Sequence, residues 1–218
     1  MNKAWSELNK TMQAQIKKKD TCEAGIDTLF ELRNQLMETL TSFNEELSRE
    51  EFDTIPFINA DGYHSKTIAY SIWHIFRIED IVAHTLIGED EQVFFAGNYQ
   101  ERINSPIITT GNELVKEQIA DFSKQLNLKE LYAYIFEVKD STEKIIDSLS
   151  YDDLKKKISE ERKEYLKSLN VVSNDENAIW LIDYWCGKDI RGLIQMPFSR
   201  HWIMHIEASL RIKNRIHS

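Results

Sequence analysis

The stretch Phe198-Ser199-Arg200-His201-Trp202-Ile203-Met204-His205 opens the last long segment of this chain. Phe198, His201, His205, Ala208 and Ile212 recur at helical spacing, and the stripe they form reads as the buried face of an α-helix. Pro197, just ahead, suits a first-turn position, so the helix is expected from about 197 to 216. A spacing of four sets two side chains about 40° apart around the helix and roughly 6 Å apart along it. Two imidazoles held in this way can share one metal ion without any bend in the chain. The alternative is a pair of core histidines satisfied by hydrogen bonds to polar neighbours. Spacing alone does not separate the two.

A third histidine, His74, lies far upstream in Ser71-Ile-Trp-His-Ile-Phe-Arg-Ile-Glu79. The segment from Thr67 to Ile87 is apolar almost all round, the pattern of a helix enclosed by neighbours, with Gly88 as its expected C-cap. His74 shares a seam with Ser71, Ile78, Ile81 and Thr85. Three neutral imidazoles around a divalent ion leave one coordination position open, which is the arrangement of a reactive metal site rather than a structural one.

Working outward, helices are expected over about 4–18, over 21–46 with Thr21 as N-cap, and over 112–126, 128–149, 151–169 and 176–186. Loops are expected over 48–65 and 89–110, the second long enough to cover a cleft. Seven glycines and three prolines give little punctuation for a many-stranded fold, and no period-2 alternation marks a strand. The reading is one all-α domain over residues 1–218, a bundle of four long helices with short helical insertions.

Composition narrows the function. With 42% apolar and 29% charged residues the chain is of ordinary globular type, and its net charge of −9 argues against a sequence-independent nucleic-acid binder. Lys17-Lys18-Lys19 is too short to reverse that, and Lys155-Lys156-Lys157 is balanced by acidic neighbours. Cys22 and Cys186, without metal-ligand spacing, read as reduced thiols, and the start shows no signal-peptide pattern. No apolar run approaches 18 residues, so no membrane span is expected and the location is read as cytoplasmic.

The run Ile68-Ala-Tyr-Ser-Ile-Trp-His74-Ile-Phe-Arg-Ile-Glu-Asp80, taken with His201-x-x-x-His205, resembles the DinB-like superfamily of bacterial four-helix bundles. That resemblance implies a divalent metal, zinc or nickel, held by His74, His201 and His205. Residues 88–127 and 150–175 look like additions to the basic bundle. Family members often carry Gln or Arg just after the histidine pair, whereas this chain reads Ile206-Glu-Ala-Ser. Some members are thiol S-transferases using low-molecular-weight thiols, and others are described as metal-dependent hydrolases.

Hydrolysis also wants a carboxylate base near the site. Helix phase turns Glu79 and Glu207 away from the histidines, and Asp183 is the remaining acid to weigh. The faces beside the ligands carry Tyr70, Ser71, Ile78, Phe198, Trp202 and Ser209, a mostly apolar set with hydroxyls to orient a thiol or an electrophile. The expected function is therefore a metal-dependent thiol S-transferase acting on a small electrophile, with no catalytic residue assigned. The alternatives are a hydrolase whose base comes from His64 or Asp61, and a bundle that binds metal or a small molecule without turnover. His84, about 80° from His74 around the helix, is expected to stay out of the site, and His217 to be exposed. A homodimer is compatible with this reading.

Overall fold

Every residue of the helix Ile68–Asp80 is buried, as its all-round apolar pattern predicts. In the computed structural model, which describes residues 2–218, this is α4 of an all-helical chain. The helices before it are α1 (Lys3–Gln15), α2 (Cys22–Glu46) and α3 (Arg49–Asp53). After it come α5 (Val93–Ala96), α6 (Tyr99–Ile103), α7 (Glu117–Gln125) and α8 (Leu128–Asp147). The last four are α9 (Glu160–Ser168), α10 (Trp180–Cys186), α11 (Ile190–Gln195) and α12 (His201–Ile216). No strand occurs among the described residues, and Lys157 and Asp189 form an isolated antiparallel bridge. No helix among them is long and apolar enough to cross a membrane.

Of the long helices, α4 packs against α8 and α12, and α12 also meets α2. Two apolar clusters fill the interior. One gathers around Trp73, Phe76, Tyr134 and Trp202, and the other around Ile78, Trp185, Leu193 and Phe198. His74 sits on α4 between Trp73 of the first and Ile78 of the second, at the seam.

Buried charges hold this arrangement in register. Arg33 on α2 and Glu79 on α4 pair through two hydrogen bonds of 2.9 and 2.7 Å, with both side chains fully buried. Trp202 donates its indole N–H to the same carboxylate at 2.8 Å, and Arg33 also donates to Glu143 at 2.9 Å and to the Phe198 carbonyl at 3.0 Å. Such a network is tolerated only because each charge finds partners. Asp80 is satisfied in the same way, accepting from the backbone of Val93 and Phe94 and from the Tyr134 hydroxyl.

Several expectations need correction. The 48–65 stretch is not all loop: Ser48 and Glu51 form a reciprocal capping box that starts α3, and Gly62–His64 makes a short 3-10 turn. Thr21 precedes α2, but its hydroxyl donates to the Gln15 carbonyl instead of capping the helix. The helix bearing His74 widens into a π-helical turn over Ile81–Gly88, and Glu89, not Gly88, takes the left-handed position that ends it. The 89–110 loop contains α5 and α6, with buried Asp80 receiving the first free backbone N–H groups of α5. Residues 112–116 stay out of α7, flanked by Gly111 and Lys116 with positive φ of 76° and 50°. The 151–169 helix is broken: Lys156 gives its carbonyl to Ile190 N–H, which draws the chain out before α9 begins. The segment expected from 176 is helical only from Trp180, and α11 and a π-helical turn at Met196–Arg200 precede α12, which begins at His201 rather than near Pro197.

Candidate metal centre

His74, His201 and His205 converge as expected. One ring nitrogen from each lies within 4.8 Å of the others, and all three side chains are buried. His74 and His201 approach with their Nε2 atoms 3.2 Å apart. Two nitrogens bound tetrahedrally at roughly 2.1 Å to one ion stand about 3.4 Å apart, so the pair is already near ligating separation. His205, one turn beyond His201, has its ring centre 4.7 Å from that of His74 and 4.6 Å from that of His201.

The tautomer of His74 follows from its surroundings. Its Nδ1 lies 2.8 Å from the Thr110 carbonyl, which can only accept, so Nδ1 carries the proton and Nε2 keeps its lone pair for the centre. The Tyr70 ring lies parallel to the imidazole, with centres 5.5 Å apart and planes 12° apart. The Tyr70 hydroxyl donates to the Gly111 carbonyl at 2.9 Å, so residues 110 and 111 position both rings. A Cβ at Gly111 would meet Tyr70 Cε2 at 3.1 Å in a backbone conformation that favours glycine.

Burial keeps all three imidazoles neutral. It pushes His74 down to about 4, helped by the Lys66 ammonium and opposed by the Thr110 carbonyl. His201 and His205 are also held well below the usual histidine range, first by burial and then by neighbouring imidazoles. Neutral rings are the form that donates to a metal. The Nδ1 atoms of His201 and His205 are buried with no hydrogen-bond partner among the described residues. A pair of satisfied core histidines would not leave them so. The donor set and the spacing fit a divalent ion.

A cavity of about 310 Å³ opens onto the three histidines. Its walls include Tyr63, Ile78, Asn112, Trp180, Tyr184 and Trp185, and among the described residues no Asp or Glu side chain lines it. Of the pocket residues expected from helix phase, Ile78 is present. Tyr70 and Ser71 are not available to orient a ligand, because their hydroxyls are bound to the carbonyls of Gly111 and Thr67. Phe198 is core, Trp202 faces Glu79, and buried Ser209 does not line the cavity.

The remaining candidates also fall outside it. His64 accepts from the Arg211 guanidinium, while its neighbour Tyr63 meets the His205 ring edge-on at 4.8 Å. Asp61 is exposed, and Asp183 pairs with Lys163 at 2.9 Å with its side chain 79% exposed. His84 is tied to Asp90 and Ser141, and His217 to Glu51. Glu207 accepts from the backbone N–H of Asn2. Helix phase alone did not find Trp180, Tyr184 and Trp185; the visible signal was the aromatic run Trp180-Leu-Ile-Asp-Tyr-Trp185.

No protein-family model matches this chain, and a search of curated proteins finds no match either.

Proposed function

We propose that this chain is a DinB-like, metal-dependent thiol S-transferase in which His74, His201 and His205 hold one zinc or nickel ion. The mutual packing of α4 with α8 and of α12 with α2 and α4 supports the four-helix bundle. When bound, a divalent ion held by neutral imidazoles would bring the pKa of a bound water near neutrality and hold a bound thiol as its thiolate. The protein does the rest: Thr110 fixes the His74 tautomer, burial keeps the rings unprotonated, and the cavity walls hold and desolvate the electrophile. In the overall reaction the thiol sulfur forms a bond to carbon, the leaving group departs with its bonding electrons, and the thiol proton passes to solvent.

The observation that favours thiol transfer over hydrolysis is the cavity wall without a carboxylate. Water-driven hydrolysis normally calls for such a base, whereas an acidified thiol needs none. The test is to incubate metal-loaded protein with an aryl halide and low-molecular-weight thiols, and separately with ester and amide panels. Conjugation that depends on thiol and is lost in His205→Ala supports the proposal. Ester or amide turnover without conjugation overturns it in favour of a hydrolase. Activity in neither assay favours a binding protein without turnover.

A further inference from the structure

The cavity mouth is built from large aromatic side chains that stay in contact with water. Trp180 is 49% exposed, Tyr63 38% and Tyr184 37%, and all three line the cavity. Trp180 and Tyr184 are one turn apart on α10, with ring centres 5.6 Å apart and planes at 71°. The indole N–H of Trp180 is already donated to the Asn177 carbonyl at 3.0 Å. Its orientation is thereby fixed, and what it offers a ligand is ring surface. Lys188 sits 4.1 Å from the Tyr184 ring and steadies it from outside the cavity wall.

The polar groups of the wall favour ligands that accept hydrogen bonds. Asn112 takes the Thr110 hydroxyl on its amide oxygen at 2.8 Å, which leaves its NH2 to donate. The Tyr63 and Tyr184 hydroxyls can donate as well. Among the described residues no carboxylate lines the cavity to repel an anion. Stacking edges and faces plus donors without acids is a site for an aromatic ring bearing an acceptor.

We propose that Trp180, Tyr184 and Tyr63 form a ring clamp that selects an aromatic substrate carrying a carboxylate or similar acceptor, with Asn112 donating to that group. This rests on reading the cavity as the substrate site, but the clamp does not require the metal to be present. The test uses 3-phenylpropanoate and its saturated counterpart 3-cyclohexylpropanoate as probes, by equilibrium dialysis on metal-free and zinc-loaded protein. The saturated ring is the more apolar, so simple burial would favour it, while ring stacking favours the phenyl acid. The phenyl acid should bind about five-fold more tightly, a preference lost in Trp180→Leu and reduced in Tyr184→Leu.

Fluorescence gives a second readout. Trp180 is the one strongly exposed tryptophan, since Trp5, Trp73, Trp185 and Trp202 are all 5% exposed or less. The iodide-quenchable part of the emission should therefore vanish in Trp180→Leu and be protected by the phenyl acid in the unaltered protein. Equal binding of the two acids, or an unchanged preference in folded Trp180→Leu and Tyr184→Leu, overturns the clamp. Ring-selective binding by a protein that takes up no zinc supports the clamp while removing the metal centre. Zinc uptake without ring selectivity removes the clamp and leaves the metal centre standing.

Discussion

Replacing Glu79 by Leu tests whether the buried charge network holds the two histidine-bearing helices together. The change removes two hydrogen bonds to Arg33, at 2.9 and 2.7 Å, and one to the Trp202 indole at 2.8 Å. Arg33 keeps Glu143 and the Phe198 carbonyl, but its guanidinium, fully buried, loses its bidentate partner. Breaking a buried pair from one side costs about 3–5 kcal/mol. In a chain of this size that corresponds to a fall in Tm on the order of 10 °C. Urea unfolding measures the loss directly. Glu79→Gln keeps an acceptor for Trp202 and should lose roughly half as much. The double change Arg33→Met with Glu79→Leu removes both charges and should recover much of the stability lost in Glu79→Leu alone. A loss in Glu79→Leu below about 1 kcal/mol would show that the network does not carry the load assigned to it.

Three further outcomes are expected. The folded-state pKa of His74 is lowered to about 4, so between there and about 6.5 the unfolded chain binds a proton that the folded chain does not. Stability without metal is then full above pH 6.5 and falls as pH drops, by about 2 kcal/mol at pH 5 from His74 alone, which urea titrations at several pH values will show. Gly111→Ala, at φ 76° and 3.1 Å from Tyr70, should cost about 1–2 kcal/mol and weaken zinc binding by shifting Tyr70 against His74, as read by competition with a chromogenic chelator. Replacing Asp61 or His64 by Ala should leave thiol conjugation unchanged, since neither side chain lines the cavity; a large fall in kcat would show that the replaced side chain takes part in the reaction.

The histidine trio was legible because its signal is local on each helix: His201 and His205 share one face, and His74 lies in a helix apolar on every side. The all-helical class was legible for the same reason. The tautomer of His74 was not, because it depends on the Thr110 carbonyl 36 residues away. The wall of the cavity was misread where side chains next to the ligands were taken as pocket residues. Tyr70 and Ser71 lie beside His74 on α4, yet backbone carbonyls take up both hydroxyls. The pocket instead draws on α10, whose position depends on long-range packing that no local period encodes. Helix boundaries failed where a tertiary bond competed with the local pattern, as at Lys156 and Ile190, whereas the capping box at Ser48 and Glu51 was present in the sequence and could have been read.

If His74, His201 and His205 hold one divalent ion, the metal content of the protein depends on these three side chains. Elemental analysis of untagged protein, dialysed against zinc or nickel and then against metal-free buffer, tests it most directly. One ion per chain is expected in the unaltered protein and none in His201→Ala or His205→Ala that remain folded by circular dichroism. An unaltered protein that retains no ion, or variants that retain as much as it does, would contradict it.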